Sequence, residues 1–389
     1  MDITFPVGYY HLHDTKIIDF QLNRWHSLGY CRLEDMRRAG KTIKSLDDWK
    51  DVMVDLADQA LIEKRLMNAA FMYRAAEFFT RASDPDKLKL YDKFTDLFYN
   101  QLVIGDPLQR HTIPYGNGAL PAYSLPYQGK EQKGVLVLHG GFDSFIEEFY
   151  SLAHFFAASG YSVYAFEGPG QGGALRRYGL PLTHEWEKPA AAVLDYFDLK
   201  DVSWLGISMG GWMCFRAAAF EPRIRRVIAS SIAYDYMEIP PAFVANFARW
   251  LMARPRLFEP LTELKMRMRP QEQWGIDNLI YITQSTSALE ASNAILQFNK
   301  NTQHPELVTQ DVLILTGEED HFIPMKMHHL QVTALQNARS LTERIFTTAE
   351  QAANHCQVGN FGLALQVMDN WLTDTVANAK LRNSGLIAA

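Results

Sequence analysis

Three side chains of this sequence have the types and the chain order needed to activate a hydroxyl: Ser208, Asp320 and His355. A serine hydroxyl is a poor nucleophile until an imidazole takes its proton and a carboxylate orients that imidazole. Ser208 stands in Gly206-Ile207-Ser208-Met209-Gly210, after the mostly apolar run 202–205 and before a segment of helical patterning. That context suits a tight strand-to-helix turn holding the hydroxyl at the top of a sheet. Glycines two positions either side avoid collision with the neighbouring strand and helix. The five-residue pattern alone arises by chance in roughly one chain in sixteen of this length, so its neighbours must decide.

The acid is expected to be Asp320, in the loop Gly317-Glu318-Glu319-Asp320-His321 that follows the apolar run 311–315. Only one of Glu318, Glu319 and Asp320 can face inward, and Asp235, beyond the run 227–231, is the alternative. The base is expected to be His355, the only histidine after the final strand. Its competitors are His321, too close to Asp320 in sequence, and the pair His328–His329, expected on an exposed helix face. An oxyanion needs fixed N–H donors. Met209 N–H follows the serine, and Gly141 or Phe142 in Leu138-His139-Gly140-Gly141-Phe142-Asp143 would supply the second.

These residues need a framework, and the patterning describes one. Apolar recurrence at three and four gives helices over 15–28, 45–81 and 86–102, with Ser45/Asp48 and Ser83/Asp86 as capping boxes. A hairpin over 108–127 turns at Gly116-Asn117-Gly118. From Gly134 onward short apolar strands alternate with helices. Continuous apolar strands are those buried on both faces, so the fold class is α/β, with a mostly parallel sheet flanked by helices. The alternation stops over 236–308, where helical stretches rich in Met, Arg, Phe and Trp read as a lid at the carboxyl ends of the strands. The expected division is a helical cap segment 1–107, a core of 108–235 with 309–389, and a lid 236–308. Phe243, Phe247, Trp250, Leu251, Met252, Phe258, Met266, Met268 and Trp274 are candidates for an apolar pocket roof, with more than half of them expected to be lid core instead.

Composition narrows the class. The chain has 389 residues and a net charge of −6 with both signs interspersed, which argues against nucleic acid as a partner. Cys31, Cys214 and Cys356 are odd in number and lack C-x-x-C spacing, which points to a reducing compartment and to no structural zinc. The segment 1–6 lacks a basic n-region, and no apolar run reaches the length of a membrane span. A soluble cytoplasmic protein without membrane partner is expected. Gly168, Gly170 and Gly173 have G-x-G-x-x-G spacing, but Pro169 interrupts the turn and the cluster is not on the first strand–helix unit. Neither a cofactor nor a metal is expected.

From about residue 119 to the terminal helix the chain resembles the α/β-hydrolase superfamily. The resemblance rests on His139-Gly140-Gly141, Glu167 to Gly172, Gly206 to Gly210, Gly317 to Asp320, and His355, in that order. With the helical N-terminal segment and Gly140 to Ser144 followed by Glu147-Glu148, it is most similar to the subgroup of the fermentation-respiration switch proteins. That subgroup also holds 2,6-dihydroxypseudooxynicotine hydrolase and the fungal yellowish-green polyketide-shortening hydrolases. The resemblance implies a homodimer without cofactor, a small-molecule substrate enclosed beneath helical caps, and hydrolysis of a carbon–carbon bond beside a ketone as well as of esters. It also implies a further acid near the pocket, for which Asp235 and Glu238 are the candidates. Acyl transfer or cyclisation by the same triad, and a non-catalytic binding role, are the competing readings.

Overall fold

The computed structural model describes residues 4–383; Met1 to Ile3, where the segment read for a leader begins, and residues 384–389 of the core segment lie outside it. The N-terminal helices are α1 (Lys16–Ser27), α2 (Leu33–Thr42), α3 (Leu46–Ile62), α4 (Leu66–Phe79) and α5 (Asp86–Leu97). Ser45 caps α3 in a box with Asp48, as patterned. The stretch read as one helix over 45–81 is two, broken where Lys64 turns left-handed at φ 59°. No box forms at Ser83; Asp84 Oδ1 instead accepts the Asp86 N–H, and Pro85 precedes α5.

The sheet consists of β1 (Gln109–Tyr115), β2 (Gly118–Leu125), β3 (Gly134–His139), β4 (Tyr161–Phe166), β5 (Val202–Ile207), β6 (Ile224–Ser230), β7 (Asp311–Gly317) and β8 (Ser340–Phe346). Its order is β1-β2-β4-β3-β5-β6-β7-β8. β1 and β2 form the antiparallel hairpin, β2 runs antiparallel to β4, and the pairs from β4 to β8 are parallel. Every residue of β5 and β7 is buried, the burial expected of strands covered on both faces.

Between the strands lie α6 (Tyr150–Ala158), α7 (Gly172–Arg176), α8 (Glu187–Tyr196) and α9 (Met209–Phe220). The insertion after β6 holds α10 (Ala242–Met252), α11 (Pro255–Met268), α12 (Pro270–Thr283), α13 (Ala288–Ile295) and α14 (Lys300–Gln303). α15 (Met325–Ala334) and α16 (Phe361–Asn383) complete the chain.

The N-terminal helices do not stand apart from the sheet. Trp25, Trp49 and Phe71 share one continuous core with Leu136, Leu138 and Leu205 of the sheet and with α6 and α16. α4 is buried from Ala69 to Phe79, its charged Arg74 and Glu77 included. Tyr30 stacks on Phe71 with ring centroids 3.6 Å apart, and its hydroxyl donates to Glu148 O. Burying this helical layer costs no separate hydrophobic interior, because it covers a sheet face that would otherwise meet water.

Candidate active site

The carboxyl edge of the sheet gathers the predicted residues. Register pairs His139 with Gly206 and Ile207 with Ser230, so the ends of β3, β5 and β6 lie side by side. Ser208 sits between β5 and α9 at φ 61° and ψ −127°, in the strained region that a non-glycine residue adopts when its surroundings force it. A Cβ at Gly206 would lie 2.0 Å from Gly210 O, and one at Gly210 would lie 2.7 Å from Gly140 O. Both glycines are therefore required by close backbone approach.

Ser208 Oγ lies 2.8 Å from His355 Nε2, and His355 Nδ1 lies 2.7 Å from Asp320 Oδ2. The other carboxylate oxygen, Asp320 Oδ1, accepts the N–H groups of Phe322 and Ile323 at 2.9 Å each. Glu318 and Glu319 are exposed, whereas Asp320 is buried. The His355 loop is tied to the end of β6 by Cys356 N–H donating to Ser231 Oγ and by Ser230 Oγ donating to Gln357 Oε1. Burial works against a charged imidazole, but the Asp320 carboxylate outweighs it and raises His355 above its ordinary value. Burial likewise works to raise Asp320, and the His355 charge and hydrogen bond hold it below the usual carboxylate range.

His328 is not on an exposed face as expected. It is buried, with Nδ1 2.9 Å from Thr316 Oγ1 and Nε2 2.8 Å from Glu343 Oε2. Asp235 caps a short turn by accepting the Met237 N–H, and Glu238 pairs with Lys326 at the surface. Neither Asp235 nor Glu238 is among the residues that line the cavity described below.

The loop after β3 is braced from several directions. Gly141 N–H donates to Ser144 Oγ, which leaves Phe142 N–H as the second candidate beside Met209 N–H. Gly211 N–H donates to Ser208 O, the other first-turn N–H groups of α9 have no intrahelical acceptor, and the helix dipole favours negative charge there. Gln171 Nε2 donates to both Gly140 O and Gly141 O, while its Oε1 accepts Gly168 N–H. The glycine cluster 168–173 thus shapes a brace for this loop. His139 Nε2 accepts from Trp186 Nε1, and burial lowers the pKa of this histidine to about 4, which keeps its ring neutral. Arg74 of α4 donates to Asp143 O at 2.7 Å, and Arg176 pairs with the Asp143 carboxylate at 2.8 Å.

Ser208 and His355 open into a cavity of about 340 Å³. Its walls are mostly apolar: Ile17, Phe20, Phe78, Phe149, Leu152, Trp274 and Phe361 among them. The roof differs from expectation. Of the aromatic and Met residues proposed for it, only Trp274 lines the cavity, joined by Tyr236 and Ile239. Phe243, Phe247, Trp250 and Met268 are exposed instead. Much of the wall comes from α1, whose Gln21 and Arg24 add polar groups that no motif announced. Among the described residues no group of three or more His, Cys, Asp or Glu side chains is placed to hold a metal ion, and no helix is long and apolar enough to cross a membrane.

An eight-stranded sheet of this order, with a serine at positive φ between its fifth strand and the following helix, defines the α/β-hydrolase fold. Residues 135–357 match the alpha/beta hydrolase family, and the chain belongs to that family. Hydrolase acrC of Aspergillus aculeatus is 35% identical over 225 residues, 47% of this chain and 51% of that protein. The chain therefore spans about half the length of acrC. Hydrolase LUC6 of a Fusarium species is 32% identical over 341 residues, 79% of this chain and 80% of that one. The crystal structure of 2,6-dihydroxy-pseudo-oxynicotine hydrolase shares the fold, with a TM-score of 0.65 at 20% identity over 92% of this chain and 96% of that one.

Proposed function

We propose that this protein is a serine hydrolase that cleaves a bond beside a carbonyl, either a carbon–carbon bond of a β-keto or aromatic ketone or an ester, in a medium-sized and largely apolar substrate. The observation that carries the reading is the continuous relay Ser208 Oγ, His355, Asp320 at 2.8 and 2.7 Å, opening into an apolar cavity. In this reading His355 Nε2 takes the Ser208 proton as Oγ attacks the carbonyl carbon, and Asp320 holds the ring with Nδ1 protonated. Met209 N–H and Phe142 N–H stabilise the tetrahedral oxyanion. As the intermediate collapses, the leaving alkoxide or enolate takes the proton from His355, and water then releases the acyl group from Ser208. An apolar cavity favours both steps because it strengthens the interaction of charge with fixed dipoles.

The deciding experiment treats the folded chain with a fluorophosphonate and maps the adduct by peptide mass spectrometry. Label on Ser208, lost in Ser208→Ala, is the expected result; folded protein left unlabelled would sink the serine reading. Comparing turnover of aryl esters with aryl β-diketones then separates ester from carbon–carbon cleavage.

Gly141→Ala tests the oxyanion loop. A Cβ there would lie 2.6 Å from Met209 N, so the loop or the start of α9 must shift. Because one donor is worth about 10²–10³ in kcat, a loss of that order is expected with KM little changed. Full activity in this variant would show that the two segments need not be so close.

We also carry the division into a cap 1–107, a core of 108–235 with 309–389 and a lid 236–308, and a homodimer, as proposals. Exposed Phe243, Phe247, Trp250, Leu257, Leu261 and Leu264 on α10 and α11 form an apolar surface that a second copy would cover. Sedimentation at micromolar concentration decides, since a strict monomer would exclude the dimer.

A further inference from the structure

The cavity contains one permanently charged side chain among the described residues, Arg24, and its neighbour Gln21 on the same helix face is polar as well. Ser208 and His355 belong to the relay and Ser144 holds Gly141 N–H, whereas Arg24 and Gln21, like Tyr236 and Cys356 elsewhere on the wall, have no part in the proposed chemistry.

Arg24 Nη2 pairs with Glu148 and is the partner of one oxygen of this fully buried carboxylate. The other oxygen of Glu148 is already held at 2.6 Å by Arg74, whose side chain is fully buried. The pair belongs to a larger cluster in which four cations (Arg24, Arg74, Lys87 and Arg176) meet three carboxylates (Glu77, Asp143 and Glu148). Among these ion-paired groups the cations outnumber the carboxylates by one. All its members are essentially buried except Arg24, whose side chain is 17% exposed, so Arg24 is the member that reaches open space at the cavity wall.

The guanidinium is also held in place. Its Nη1 donates to Gln21 Oε1 at 3.3 Å, and its carbon lies 4.7 Å from the Trp25 ring centre. Two of five N–H donors are thereby used, and a planar fork fixed in this way suits two-point recognition of a carboxylate. Phe20, one turn earlier on α1, packs with its ring centre 5.9 Å from that of His355. Arg24 follows Phe20 by one turn, about 6 Å along the axis of α1, and both line the cavity. Ser208 and His355 line the same cavity, so an oxyanion on a substrate that fills it would meet Arg24 at a point remote from the scissile carbonyl. At neutral pH the common anionic oxygen of that size is a carboxylate.

We propose that Arg24, assisted by Gln21, binds a carboxylate on the substrate, so that the preferred substrate is an apolar carbonyl compound with an acidic end. This specificity rests on the serine-hydrolase reading for its catalytic consequence but not for its binding consequence, and the two are tested separately. For catalysis, the full chain and its Arg24→Gln variant are compared on two p-nitrophenyl esters of equal chain length, one ending in a carboxylate and one in a methyl group. Hydrogen bonds to charged groups set the scale, and kcat/KM should fall about 10- to 100-fold more for the acidic ester than for the neutral one, with the difference carried in KM. Equal losses on both esters would overturn the proposal in favour of a packing role. For binding, thermal shift of the wild-type chain needs neither turnover nor a variant that folds. Phenylalkanoates should raise the transition temperature at concentrations about tenfold below those of their primary amides, and equal potency overturns the proposal. Failure of the fluorophosphonate to label Ser208 would refute the hydrolase reading alone and leave this binding comparison to decide.

Discussion

Replacing His355 with alanine should lower kcat by about 10⁶-fold and replacing Asp320 with asparagine by about 10⁴-fold, and the second change should also displace the pH profile. The magnitudes follow from the roles proposed. His355 is the only imidazole within reach of Ser208 Oγ among the described residues, so its loss leaves a hydroxyl with no base. Asp320 acts through His355, and an asparagine amide can turn its N–H₂ toward Nδ1 and select the wrong tautomer.

The pH dependence has a definite sign. The base form of His355 is neutral, and Asp320 raises its pKa above the ordinary value near 6.5 despite the opposing burial. In the wild type, kcat/KM should therefore climb with pH along a limb centred above about 6.5. In Asp320→Asn the raising charge is gone while burial remains, so the limb should move to lower pH even as the plateau collapses. A limb that stays in place, or moves upward, would mean that a different carboxylate governs His355. Asp235 is then the residue to examine, although its Oδ1 already accepts Met237 N–H.

What the sequence makes legible here, and what it hides, follows one physical line. The turn at Ser208 is legible because its constraints are local: β5 must be apolar throughout, and Gly206 and Gly210 must lack side chains. Asp320 and His355 are legible because they occupy loops at the same ends of consecutive parallel strands. The break between α3 and α4 is not, because Lys64 enters the left-handed region without glycine or proline to announce it. α2 is missed because it is short and half of its residues are charged, which masks the buried face formed by Met36, Ala39 and Gly40. The source of the cavity wall is misplaced for a related reason. Aromatic residues in the lid read as a roof, yet Phe243 and Phe247 point to the surface, while Arg24 and Gln21 of α1 carry no motif. Charges on a helix ordinarily read as a solvated face, so Arg74 and Glu77, three residues apart, gave no sign of full burial.

That buried pair supports the second large expectation: Glu77→Gln should destabilise the protein by about 3–5 kcal/mol, because it leaves cations in a dry site without their counter-charge. Glu77 is inaccessible to solvent. Its Oε1 accepts from Arg176 Nη2 at 2.6 Å and pairs with Lys87 at 2.9 Å, and its Oε2 accepts from Arg74. Burial alone would raise the Glu77 pKa, but Arg176, Lys87 and Arg74 together hold it well below the usual range. A carboxylate whose folded pKa is depressed contributes stability that is present above its unfolded value, near 4.3, and is lost as pH falls through the folded value. The gap in transition temperature between wild type and Glu77→Gln should thus be on the order of 5–10 °C at pH 7 and shrink below about pH 4. Calorimetry across that range checks it, and a gap that persists unchanged at pH 3 would assign the loss to shape rather than charge. The same substitution should reach the chemistry. Arg74, freed from Glu77, also supplies the hydrogen bond to Asp143 O that braces the loop carrying Phe142 N–H. Part of the lost stability should therefore appear as a lower kcat even at temperatures where the variant is folded, with KM for a neutral ester little altered. If kcat is untouched while the transition temperature falls, the N-terminal helices cover the sheet without holding its oxyanion loop.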